Sequence, residues 1–108
     1  MLYTIGEITA RIQPVAERYG LKAVFLFGSY ARGTATDDSD IDLLVDTDGT
    51  EIKSLLQLSA LYCDLEEALE KPVDLVTLRS LEQPPQSARE IRFRETILQE
   101  RVSLYAVA

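Results

Sequence analysis

The sequence predicts one small α/β or α+β domain in which helices and short strands alternate around a small sheet. Three observations carry that expectation. The chain has 108 residues, close to the commonest domain size, and a domain of that length buries roughly 65% of its unfolded surface. Apolar stretches at helical spacing alternate along it with short apolar runs of strand length. The clearest of those runs, AVFLF at residues 23–27, stops at Gly28, as a buried strand does.

The elements follow in order. Residues 4–19 place Ile5, Ile8, Ile12, Val15 and Tyr19 on one helical face, and Thr4 with Glu7 makes a capping box. Pro14 lies inside this helix, which is therefore either kinked or split with Pro14 opening a second piece, and Gly20 ends it. Residues 22–27 form a strand, and residues 30–32 one helical turn released by Gly33. A polar stretch, 34–39, leads into a second strand at 40–46, with Ile41, Leu43 and Val45 on one face. Asp48 and Glu51 read as another capping box, opening a helix over 52–69 that packs Leu55, Leu58, Tyr62, Leu65 and Leu69. Pro72 stops it before a third strand at 73–78. The Pro84-Pro85 pair marks a turn, residues 87–101 form a helix carrying Ile91, Ile97 and Leu98, and the apolar tail 102–108 either packs back or pairs with something.

Composition narrows the function. Hydrophobic residues make up 46% and charged residues 27%, a globular balance without low-complexity tracts. No apolar run approaches the roughly 20 residues that cross a bilayer, and the N-terminus lacks the pattern of a secretory signal, so the chain reads as cytoplasmic. The single cysteine, Cys63, has no internal partner and lies in an apolar helical stretch, where it reads as a buried thiol; there is no histidine to complete the usual zinc site. The net charge of -7 argues against direct nucleic-acid binding, which needs excess Lys and Arg, and suits a divalent cation better. Five arginines between Arg79 and Arg101 read as a solvated face or a protein-contact surface.

The chemistry is concentrated in FGSYARGTATDDSDIDLLVD, residues 27–46. Side chains at i and i+2 on a strand point the same way, so Asp40 and Asp42 project together while Ile41 turns to the core. Two carboxylates so close repel unless a cation sits between them, and such a pair holds one or two Mg²⁺ ions that bridge to substrate phosphates. Asp74, on the next strand, is the best placed third acid. Gly28 and Ser29 stand where a buried strand breaks into a helical turn, a junction that offers backbone N–H groups to an anion, and Arg32 adds charge one turn on. These residues describe a triphosphate held at the Gly-Ser turn with its metal ions on Asp40 and Asp42.

The pattern of Gly-Ser, ten residues, then Asp-x-Asp resembles the nucleotidyltransferases of the DNA polymerase beta superfamily. The stretch LFGSYARGTATDDSDIDLLV looks like their minimal nucleotidyltransferase branch, and the resemblance extends over essentially the whole chain, 1–108, as a single domain. It implies a nucleotidyltransferase fold, with a small mixed sheet of three or four strands flanked by helices. It also implies two Mg²⁺ ions and transfer of a nucleoside monophosphate, AMP from ATP, to an acceptor hydroxyl with release of pyrophosphate. By that match Gly28 and Ser29 bind the triphosphate, Asp40 and Asp42 bind metal, and Asp74 completes the metal site and takes the acceptor's proton. Members of this branch are commonly paired with a HEPN-domain toxin, a ribonuclease, and some act as antitoxins by adding AMP to a toxin tyrosine.

TDDSD is good turn chemistry, which accounts for Asp37 and Asp38 but not for the preceding buried strand and Gly-Ser turn at matched spacing. DTDGTE has the look of a calcium loop, yet the first ligand position of that register would be Leu44. Arg32 can equally pair with a nearby acid, and Asp74 can be an edge-strand charge. A different class of function is also open: a non-catalytic nucleotide-binding module that neutralises its partner by contact.

Overall fold

A computed structural model describes residues 2–107 of the chain. The elements run α1 (Ile5–Tyr19), β1 (Ala23–Phe27), α2 (Gly28–Arg32), β2 (Ile41–Asp46), α3 (Leu55–Leu69) and β3 (Val73–Thr77), then a 3₁₀ helix (Leu78–Glu82), α4 (Ala88–Glu100) and β4 (Val102–Ala106). The four strands form one mixed sheet in the order β3-β2-β1-β4. β1 is antiparallel to both β2 and β4, whereas β2 and β3 are parallel, joined through α3. The predicted class and the small mixed sheet are what the chain adopts. The apolar tail resolves into the edge strand β4, and its Tyr105 is half-buried against the protein's own core.

The sheet is covered on both faces, which explains why its central strands are nearly unbroken apolar runs. On one face Val24, Leu26, Ile41, Leu43 and Val45 pack with Ile8, Ile12, Val15 and Ala16 of α1 and Leu61, Leu65 and Leu69 of α3. On the other, Phe27 and Leu44 pack with Ile97 of α4, flanked by Phe25, Val76, Leu78 and Leu81. Strand alternation sends Asp42 to this second side with Leu44, and Asp74 there with Val76. The acids therefore share a face with α4, and that placement makes the site.

Several local expectations are corrected. Of the two alternatives left open at Pro14, the split is excluded, because α1 is one continuous helix with the proline inside it. The lost backbone bond is tolerated because Ile8, Ile12, Val15 and Ala16 anchor the helix on both sides of it. The capping box of α3 is not Asp48 with Glu51. Ser54 is the N-cap, accepting from the Gln57 amide at 3.2 Å while the Gln57 side chain accepts from the Ser54 amide at 3.0 Å. Residues 46–52 instead make a turn, built by the Asp48 amide on Asp46 at 3.0 Å, Gly49 at φ 77° and the buried Thr50 hydroxyl on the Thr47 carbonyl at 2.7 Å. At the start of α3 Leu55 and Leu56 are 79% and 83% exposed, and Tyr62 and Cys63 also face solvent. On α4, Ile97 is buried but Ile91 and Leu98 are not. The 3₁₀ helix was not anticipated; it is tied to α4 by Arg94, which donates to the Leu81 carbonyl at 3.1 Å and to the Gln83 carbonyl, and pairs with Glu90 at 2.8 Å. Arg101 stacks over Phe25, its guanidinium 4.7 Å from the ring centre. Among the described residues no helix is long and apolar enough to cross a membrane.

Candidate active site

Gly28 opens α2 directly from the end of β1 and has φ 74°, a left-handed conformation that a side chain disfavours. Its neighbour Phe27 is the register partner of Asp42 on β2. The approach is so close that a Cβ on Gly28 would lie 2.0 Å from Asp42 Oδ2 and 2.9 Å from its Cγ. Glycine is required here by both backbone and space: the Asp42 carboxylate occupies the volume a side chain would need. Ser29 follows, half-buried, and its carbonyl accepts from the Gly33 and Thr34 amides, the latter at 3.0 Å, closing the short α2 turn.

Asp42 and Asp74 are register partners across the parallel pair β2 and β3. Burial pushes the Asp42 carboxyl from the ordinary 3.8 up to about 6, and a hydrogen bond to Asp74 and the negative charges of Asp74 and Asp40 act in the same sense, with Arg32 opposing them. Two carboxyls so placed repel each other when both are ionised, and Arg32 offsets only part of that repulsion. Asp40 stands one residue before β2 and is exposed. Its charge reaches Asp42, yet among the described residues no three acid, thiol or imidazole groups are gathered as a ready-made metal cage. The donor set still fits a hard divalent cation in kind and in charge: oxygen-only ligands, two of them adjacent, in a site short of positive charge. Asp42 and Asp74 would hold it, with Asp40 supplying the outer carboxylate.

A cavity of about 410 Å³ opens onto this pair. Gly28, Arg32, Asp42 and Asp74 line one side, and Phe93, Thr96, Ile97 and Glu100 of α4 line the other. Ser29 and Asp40 lie outside that lining. Phe93 is 49% exposed and meets Phe27 edge-on, with ring centres 6.3 Å apart. Arg32 pairs with Glu100 at 2.9 Å, bridging α2 to the end of α4. The α4 wall is the part of the site that sequence reasoning missed. A signal was present, because a strand reading IDLLV is apolar at Leu44 as well as at Leu43 and Val45, so a further helix had to cover the side from which Asp42 projects.

Comparison with known proteins agrees with the geometry. A family model described as a nucleotidyltransferase domain matches residues 12–102. A candidate protein adenylyltransferase of Methanocaldococcus jannaschii is 46% identical over 77 residues, covering 71% of this chain and 81% of that one. The protein adenylyltransferase MntA of Thermococcus cleftensis is 45% identical over 84 residues, covering 74% and 83%. Among solved structures, a toxin-antitoxin complex with AMP-PNP contains a chain that superposes with a TM-score of 0.70 at 28% identity, covering 92% of this chain and 73% of that one. With the glycine-serine bend, the facing aspartates and a matching family model over most of its length, the chain belongs to the nucleotidyltransferase domain family.

Proposed function

We propose that the chain transfers AMP from ATP to a hydroxyl on a partner protein, acting in the cytoplasm as the antitoxin of a HEPN-domain toxin. The observation that carries this reading is Asp42, pressed against Gly28 and in register with Asp74, at the wall of the cavity. Support comes from relatives named as protein adenylyltransferases and from the likeness to a toxin-antitoxin complex with AMP-PNP.

In this reading Gly28 and Ser29 hold the triphosphate at the bend, Arg32 adds a positive contact, and Asp40, Asp42 and Asp74 hold two Mg²⁺ ions. Bound Mg²⁺ would neutralise the triphosphate and polarise the phosphate under attack. Asp74, exposed at the cavity rim, takes the proton of the acceptor hydroxyl as its oxygen attacks the α-phosphorus and pyrophosphate departs. Phosphoryl transfer of this kind depends chiefly on positioning and charge.

The test is incubation of the chain with labelled ATP, Mg²⁺ and the candidate partner. Label is expected on the partner and is expected to vanish in the Asp40→Asn, Asp42→Asn double variant; equal labelling by that variant would sink the reading. Exposed Ile91, Phe93 and Leu98 on α4 favour a second reading, in which the chain silences its partner by contact alone. Partner inhibition that survives loss of both aspartates would select it.

A further inference from the structure

Resting on the nucleotidyltransferase reading, we infer that Glu100 is a positioning residue for nucleotide binding: it holds the Arg32 guanidinium over the cavity mouth, ready for the phosphates. The two residues end different elements, Arg32 closing α2 and Glu100 closing α4. Their side chains meet at 2.9 Å through Arg32 Nη1 and Glu100 Oε2, and both line the cavity that holds Asp42 and Asp74.

Charge makes this pair more than a surface contact. Among the described residues lining the cavity, Arg32 is the sole cation, set against three carboxylates from Asp42, Asp74 and Glu100. In a chain of net charge -7, a polyanionic substrate has this guanidinium as its protein-borne positive contact within the cavity. Arg32 is also 46% exposed, so without a tether it would sample many rotamers and lose that freedom on binding. The pair is made through one nitrogen of the guanidinium, and arginine has five donors in a rigid fork. The remaining N–H groups can reach a phosphate while Glu100 keeps its hold. Glu100 therefore orders Arg32 before the nucleotide arrives, and the cost of ordering is not charged to binding. By tying Arg32 to the last turn of α4, the same contact also makes the C-terminal helix part of the nucleotide site.

The experiment titrates the full chain with a fluorescent, non-hydrolysable ATP analogue and Mg²⁺, followed by anisotropy. Glu100→Gln is expected to weaken binding roughly tenfold, and Glu100→Asp, which keeps the charge but shortens the reach, to weaken it less. Glu95→Gln, which removes an exposed acid from the same helix, is expected to bind like the unmodified chain. Combining Glu100→Gln with Arg32→Ala is expected to bind no worse than Arg32→Ala alone, because a positioning residue has nothing left to position. In transfer assays Glu100→Gln is expected to raise KM for ATP at nearly constant kcat.

Unchanged or tighter binding by Glu100→Gln overturns the inference, as does a full additive loss in the double variant or an effect confined to kcat. If Glu100→Gln binds normally while the unmodified chain binds and transfers, this inference alone is lost. If the unmodified chain does not bind the analogue at all, the nucleotidyltransferase reading falls and takes the inference with it.

Discussion

Gly28 shows how one residue can be required twice over. Its φ of 74° and the 2.0 Å approach of Asp42 Oδ2 to a would-be Cβ are separate penalties, so Gly28→Ala must shift either the bend or the aspartate. We expect this variant to lose transfer at least a hundredfold and to cost about 1–3 kcal/mol of stability, read by product labelling and by a urea midpoint. Asp42 carries the opposite tension, because its carboxyl titrates near 6 in the folded chain against 3.8 when unperturbed. The native state then binds its proton more tightly than the unfolded state does. The penalty for ionising Asp42 is absent below about pH 4 and complete above about pH 6, so stability of the metal-free protein falls as pH rises through that window. The site is part-exposed, and screening by solvent reduces the effect to on the order of 1 kcal/mol. Asp42→Asn is accordingly expected to raise the metal-free melting temperature at pH 7.5 relative to the unmodified chain, with little difference at pH 4, while abolishing transfer. A lower melting temperature at pH 7.5 would contradict the electrostatic account.

At the scale of elements, the two candidate starts of α3 separate by a simple pair of substitutions. Ser54→Ala removes the side-chain acceptor of the Gln57 amide and is expected to cost about 1 kcal/mol. Asp48→Ala removes only an exposed partner of Lys22 at 3.8 Å and is expected to cost less than about 0.5 kcal/mol. Urea denaturation of both variants decides between the caps. The sequence misled here because Asp48-x-x-Glu51 and Ser54-x-x-Gln57 both satisfy the same local pattern. The buried Thr50 hydroxyl and Gly49 commit the first of them to a turn. Helix α4 raises the same issue in a functional setting. Its Ile97 was legible as a core residue, but the roles of Phe93, Thr96 and Glu100 in the cavity depend on which side of the sheet the helix crosses. Spacing along one helix does not carry that information.

For the whole molecule, the decisive property is a pair of acids, Asp42 and Asp74, that Arg32 only partly offsets. A cation bound to the native site alone stabilises it by mass action. Mg²⁺ is therefore expected to raise the melting temperature at pH 7.5 and to do so far less at pH 5, where Asp42 is largely protonated; chelation reverses the gain. Differential scanning fluorimetry at the two pH values checks this, and an equal shift at both would place the cation elsewhere. Much of the scaffold was readable beforehand. AVFLF and IDLLVD are β1 and β2 within a residue of their expected bounds, and the Thr4–Glu7 box caps α1 as written. Helix α3 was less faithfully read: Leu55, on the face expected to pack, and Cys63, expected to be a buried thiol, are both exposed.

Local order and chemical type were determined by the sequence alone: alternating elements, a glycine that must bend, and an aspartate on the strand beside it, whereas Asp40, expected on that strand, stands just before it. Those features follow from backbone sterics and side-chain periodicity, which act over a few residues. Pairing Asp42 with Asp74 across a parallel crossover, and closing the cavity with Phe93 and Glu100, was decided only by tertiary structure. Residues separated by 32 and more positions meet because two apolar faces of one sheet must both be covered, and burial of that kind is a property of the assembled layers rather than of any segment.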